Sequence, residues 1–276
     1  MADKIWVGTA SGHEGDLNYP DNWSPSGVPT DNDNVYFISG SQSVTQNLNA
    51  LASTTLNKLV VSSGYSGTIG DSSNYLDTNA GYFSYQGGKS SATDYIDVDV
   101  DNANIVAASK DAKLSLKGTI TDLVILNGTI TIAGGTITNL AVGGQAKEVS
   151  ISSGVSITNI YQKRGDIESS VGCTLVEMSG GTFTLSSGDI TTVRLYGGTF
   201  YWNAGGSTIS NLYVHAGSFD ASGDSESKTI TNLTLYQNGS INLNNGASNI
   251  TITNGIKTYN GTIELVPGST LSISYS

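Results

Sequence analysis

The sequence predicts an all-β chain wound as a right-handed parallel β-helix (a β-solenoid) behind an N-terminal capping segment. Three observations lead there. A phrase of the form apolar, Thr/Ser, Asn/Asp, apolar, any, apolar recurs along the chain, with copies at Ile120-Thr121-Asp122-Leu123, Ile157-Thr158-Asn159-Ile160, Ile190-Thr191-Thr192-Val193, Ile209-Ser210-Asn211-Leu212 and Ile230-Thr231-Asn232-Leu233. Its fourth-position anchors, Leu123, Leu140, Ile160, Val176, Val193, Leu212, Leu233 and Ile250, follow one another at 16 to 21 residues. That length is one solenoid coil, too short for a helix pair or a propeller blade. The third observation is composition: 34 Gly with only 4 Pro, and apolar residues separated singly by polar ones, which is strand-and-corner chemistry.

Residues 1 to about 50 read as a cap or anchor. Trp6, Asn22-Trp23, Gly27-Val28-Pro29 and Asp31 to Asp33 lead into the strand Val35-Tyr36-Phe37-Ile38. A first coil needs such a cover for its apolar side chains and open strand edge. Trp6 and Trp23 are candidate sugar-binding residues as well as candidate core of the cap. Residues 51–276 form the helix, opening at Leu56-Asn57-Lys58-Leu59-Val60-Val61. Residues 70–95, with Tyr75, Tyr82, Phe83, Tyr85 and Gly87-Gly88, break the phrase and are expected as a loop or lateral excursion. The tail Leu271 to Tyr275 is expected as a last strand.

Alternation assigns the faces. Anchors and the residues two later (Ile125, Val142, Met178, Leu195, Val214, Leu235) point inward, as do Ile130, Ile167, Phe183, Phe200 and Phe219. The three phenylalanines are expected to stack, each contributing roughly 1.5–3 kcal/mol on burial. Asn139, Asn159, Asn211, Asn232 and Asn249 fall at a corner where amides can bond between coils. Cys173 takes the slot of Ile157 and Ile190 and reads as a buried small hydrophobe. Outward columns follow from the same alignment: Glu177 beside Arg194, then Tyr213; and Tyr196, His215 and Tyr236. A continuous strip of exposed rings points to an interface.

Evidence for chemistry is thin. Asp97, Asp99 and Asp101 share one strand face and resemble the start of a calcium loop. Asn102 stands where the turn Gly belongs and Ala108 at the twelfth position, so the match fails; the reading is a solvated acidic face balanced by Lys110 and Lys113. Glu177, Arg194, Asp166 and Glu168 are the acid–base candidates of the regular coils, with no matched carboxylate pair among them. Two His and one Cys argue against a transition-metal site. His13-Glu14-Gly15-Asp16 reads as a turn in the cap, and Gly143-Gly144 and Gly180-Gly181 as corners. The expectation is no catalytic residue, no metal and no cofactor. A net charge of −11, from 12 basic and 23 acidic residues, disfavours nucleic acid as partner. No apolar run reaches membrane-spanning length, and Met1 to Trp6 lacks the basic start and apolar core of a secretory signal, so the chain is expected to be made in the cytoplasm.

The cap and coils together resemble bacteriophage virion proteins built on parallel β-helices, the group of tailspikes, head fibres and capsid decoration proteins. Trp6-Val7-Gly8, Asn22-Trp23, Gly27-Val28-Pro29 and Asp33 to Phe37 also look like the entry segment of bacterial surface β-helix proteins. The resemblance implies a rigid, commonly homotrimeric part of a virion surface, partnered by the major capsid protein or another virion protein. The expected role is a non-enzymatic decoration or spike protein, with Arg194, Tyr196, Tyr213, His215 and Tyr236 as the interface. The alternative is a tailspike-like protein that binds, or cleaves, a host surface glycan; a fragment of a secreted adhesin comes third. The missing signal and a small solenoid starting at Met1 favour the viral reading.

Overall fold

A computed structural model describes residues 1–40, 42–89, 91–244, 249–264 and 270–273. These form a β-solenoid of parallel stacked coils, about 11 turns among the described residues. The chain divides into two compact units, Met1–Thr138 with Gln145–Lys147, and Asn139–Gly144 with Glu148–Ser276.

In the first unit, β1 (Asp3–Trp6) pairs antiparallel with β2 (Trp23–Ser24) and parallel with β3 (Asn34–Phe37). The following strands are β4 (Leu51–Leu56), β5 (Lys58–Val61), β6 (Leu76–Tyr85), β7 (Thr93–Val106), β8 (Lys113–Lys117) and β9 (Thr119–Ile132). Register carries one inward column through Val35, Leu59, Phe83, Ala103 and Leu123, and a second through Phe37, Val61, Tyr85, Ile105 and Ile125. All ten side chains are buried.

Two expectations are corrected here. Residues 70–95 are not wholly a loop or lateral excursion: Leu76–Tyr85 (β6) is a coil strand, paired on both sides, with Phe83 and Tyr85 in the inward columns, and 70–75 and 86–89 lie outside strands. The phrase was hidden because aromatic residues fill its apolar slots and Asp94 occupies an interior position. The cap does not end before the coils, since β1 and β3 are already parallel rungs in line with β5.

Trp6 and Trp23 are the core of the cap, each 2% exposed and edge-to-face at 5.2 Å, with Phe37 against both. Their indole N–H groups donate to the carbonyls of Gln42 and Leu17, which satisfies the only polar atom of each ring. Neither tryptophan can stack on a sugar.

β10 (Gly135–Ile151) holds residues of both units. The second unit continues with β11 (Val155–Gln162), β12 (Asp166–Ser169), β13 (Cys173–Leu185), β14 (Ile190–Trp202), β15 (Thr208–Asp220) and β16 (Lys228–Asn242). It closes with β17 (Asn249–Ile252), β18 (Ile256–Tyr259), β19 (Thr262–Glu264) and β20 (Thr270–Ile273). The expected last strand is thus seen over Thr270–Ile273, while Ser274 and Tyr275 lie outside the described residues.

Ile160, Val176, Val193, Leu212 and Leu233 stack in register. So do Phe183, Phe200 and Phe219, with centroids 5.0 and 5.3 Å apart and planes within 18°. Cys173 lies over Ile190 and is buried, which pushes its thiol up to about 12. The last anchor differs from expectation: Leu233 pairs with Ile256, whereas Ile250 lies over Lys228. The amide ladder shifts with it. Asn159 donates to Asn139, Asn232 to Asn211, and Asn254 to Asn232, at 2.8–2.9 Å. The rung is Asn254; the side chain of Asn249 lies outside the described residues.

Lys228 is 1% exposed. Its ammonium donates to the Ala221 carbonyl at 3.1 Å, pairs with Asp224 at 2.8 Å and lies over the Trp202 ring. The loop 221–228 is therefore closed by a satisfied interior cation, the condition under which burying a charge is tolerated.

Candidate functional site

The outward face of β13 to β18 carries two columns. In the first, register aligns Glu177, Arg194, Tyr213, Thr234 and Lys257. Arg194 meets the Glu177 carboxylate at 3.7 Å, both side chains more than a third exposed, a contact worth at most about 1 kcal/mol.

The second column is a stack of rings. Tyr196 lies on His215 at 4.7 Å, His215 on Tyr236 at 4.1 Å and Tyr236 on Tyr259 at 5.2 Å, with planes within 15°. The spacing comes from the coils themselves, since hydrogen-bonded strands lie about 4.8 Å apart. Identical slots filled with flat side chains must stack, and each parallel pair adds about 0.5–1.5 kcal/mol. Because the faces cover one another, the strip presents ring edges and hydroxyls outward. Tyr196 and Tyr259, at the two ends, are 47% and 57% exposed.

Corner glycines follow the strip immediately. Gly181, Gly198 and Gly217 have φ of 82°, 83° and 84°, and a Cβ on Gly198 or Gly217 would sit 2.5 Å from the carbonyl of the glycine one coil back. The bend after Tyr196 and after His215 thereby repeats the one after Ser179 on the preceding coil, whereas Gly239, after Tyr236, has no positive φ.

The structure thus brings together five expected residues, Arg194, Tyr196, Tyr213, His215 and Tyr236, and adds Tyr259 and Lys257. The signal for both was present: Ile256-Lys257-Thr258-Tyr259-Asn260-Gly261 repeats Leu233-Thr234-Leu235-Tyr236-Gln237-Asn238-Gly239 with one residue deleted. From Arg194 to Lys257 and from Tyr196 to Tyr259, neither column contains a carboxylate, on a chain of net charge −11. A shallow hollow of about 270 Å³ beside them is lined by Tyr213, Asn232, Thr234, Asn254 and Lys257.

The other candidates are placed differently. Asp166 and Glu168 are in register with Thr182 and Thr184, across the Gly180-Gly181 corner from Glu177, so these acids do not converge with Arg194. In the first unit Asp97 lies between Asp77 and Lys117. Burial, then repulsion from Asp77 and Asp99, raises the Asp97 carboxyl, and Lys117 opposes this; burial and Asp99 raise Asp77. Lys117 is the balancing cation, correcting the assignment to Lys110 and Lys113, which act on Asp111. Asp99 accepts the Thr119 N–H, and Asp101 the Thr121 hydroxyl at 3.4 Å. A polar hollow of about 540 Å³ includes Asn49, Asn74, Tyr75, Asp77, Asp97 and Lys117, with the lysine 3.8 Å from the Tyr75 ring centre.

His13 stacks on Tyr19 at 3.9 Å, and Glu14 and Asp16 accept turn N–H groups. Among the described residues no group of three His, Cys, Asp or Glu is placed to hold a metal ion. No family model, no curated protein and no solved structure matches this chain.

Proposed function

We propose that the chain is a non-enzymatic structural protein of a bacteriophage particle, a decoration or spike protein that docks on the virion surface as a rigid oligomer. The observation that carries this reading is the outward strip Tyr196–His215–Tyr236–Tyr259 on a stack of paired coils. Such a surface is preorganised: its rings are held by their neighbours along the stack, so little conformational freedom is lost when copies associate into the oligomer. The partner is the major capsid protein or another virion protein, and the work done is mechanical. Residues 1 to about 50 serve as anchor through their polar surface, since the tryptophans are interior. Mass spectrometry of particles purified from a lysate of the strain carrying the gene tests the role. Peptides of this chain should co-purify with intact particles through a density gradient; peptides found only in the soluble fraction overturn it.

A second reading is favoured by the hollow at Tyr75, Asp77, Asp97 and Lys117, whose amides, hydroxyls and carboxylates suit a surface glycan. Incubation with host polysaccharide distinguishes the two, a retained complex pointing to receptor binding and new chain ends to cleavage.

A further inference from the structure

We propose that two copies of this chain associate face to face, with solenoid axes antiparallel, through the columns that run from Glu177 to Lys257 and from Ser179 to Tyr259. This goes beyond the virion role and does not depend on it.

The order of residues along the two columns carries this arrangement. Reading one coil at a time, the first column is Glu177, Arg194, Tyr213, Thr234, Lys257. The second is Tyr196, His215, Tyr236, Tyr259, and on the coil before Tyr196 its place is taken by Ser179, two residues past Glu177 and in register with Gly197 at an irregularity of the ladder. Each column has five rungs, spanning about 19 Å at the spacing of paired strands.

A two-fold axis parallel to the strands at the third rung lays each column on its own copy in reverse order. Glu177 then faces Lys257 of the other copy, and Tyr213 faces Tyr213. In the second column Tyr196 faces Tyr236, and His215 faces His215. Ser179 receives Tyr259.

Three features of the face fit this arrangement and no feature of the isolated chain requires them. The acid and the unpaired end of the basic series stand at opposite ends of one column, the placement a two-fold turns into two ion pairs. Glu177 is held only at 3.7 Å by Arg194, leaving its carboxylate available. The most exposed ring, Tyr259 at 57%, meets the one rung where a small side chain leaves the ladder open. Between those ends both columns lack carboxylates, so on chains of charge −11 no carboxylate of these columns is set against another. A second copy also has the same rung spacing, which an unrelated extended peptide lacks, since its same-face side chains repeat about every 6.5–7 Å. A self-complementary patch is the requirement for a two-fold interface.

Cross-linking tests the geometry. Ser179→Cys combined with Tyr259→Cys puts two thiols about 19 Å apart within a chain, too far for an internal disulfide, but opposite each other between copies. Buried Cys173 does not compete. Mild oxidation of the double variant should yield a covalent species of twice 28.6 kDa, and neither single variant should. Sedimentation equilibrium of the unaltered chain should give the same doubled mass. Lys257→Glu should weaken that association at least tenfold, and adding Glu177→Lys should recover most of it, because the pair is then reversed in both copies. A monomer at tens of micromolar, a three-fold mass, or equal cross-linking in single and double variants overturns the proposal. A monomer found on particles would refute this interface and leave the virion role standing; a dimer absent from particles would do the reverse.

Discussion

Asp94 shows how a single residue departs from its neighbours. It lies on β7 at an interior position, 3% exposed, accepting the Tyr85 hydroxyl at 2.8 Å and the Ile69 N–H at 2.9 Å. Burial raises its carboxyl above the ordinary value, and these two hydrogen bonds and Lys89 only partly offset it. The folded chain therefore holds this proton more tightly than the unfolded chain does. Its contribution to stability is complete below the ordinary aspartate range and is lost as pH rises through the raised folded value. Asp94→Asn keeps one acceptor oxygen for the Ile69 N–H, turns its amide NH2 to donate to the Tyr85 hydroxyl, and cannot ionise. Its urea midpoint should exceed that of the parent at pH 7 and converge with it near pH 3.5. A difference that does not change with pH would show that burial of the charge is not the cause.

At the scale of one coil, the corner is the demanding element. Gly198 combines a φ of 83° with a carbonyl 2.5 Å from where a Cβ would stand, so an alanine there is both strained and obstructed by backbone. Gly198→Ala should cost roughly 1–3 kcal/mol in chemical denaturation and broaden or shift the ring stack at Tyr196. Gly154, with open space around its Cβ position and no positive φ, is the control, and its alanine variant should lie within about 0.5 kcal/mol of the parent. Equal effects at both positions would remove the corner argument.

At the scale of the whole molecule, each coil in a stack is supported by the coils before and after it, so stability is a sum over neighbours. The coils of β13 to β15 are paired on both sides and share the Phe183–Phe200–Phe219 stack. Hydrogen exchange followed by mass spectrometry should find the slowest amides of the second unit between Cys173 and Phe219, and faster exchange in β17 to β19. Uniform exchange across the unit would indicate one cooperative block instead of a stack of coils.

The coil length, the inward phenylalanines, the Glu177–Arg194 contact and the Tyr196–His215–Tyr236 strip were all legible in the sequence. They depend only on counting residues between like positions, and hydrogen-bonded register then places like on like. Counting failed where the step length changed. The register at Ile256, and with it Tyr259, Lys257 and the Asn254 rung, was decided by strand pairing, which sets Ile256 on Leu233 and Ile250 on Lys228. The coil at β6 was concealed because Tyr85 and Asp94 are unusual occupants of interior slots, acceptable only once the surrounding groups satisfy their polar atoms. The interior placement of Trp6 and Trp23 was likewise a tertiary outcome, since an indole serves equally as core or as platform until its N–H finds a carbonyl. Periodicity along the chain sets what can stack, whereas the closing of each polar group and the length of each turn set what does.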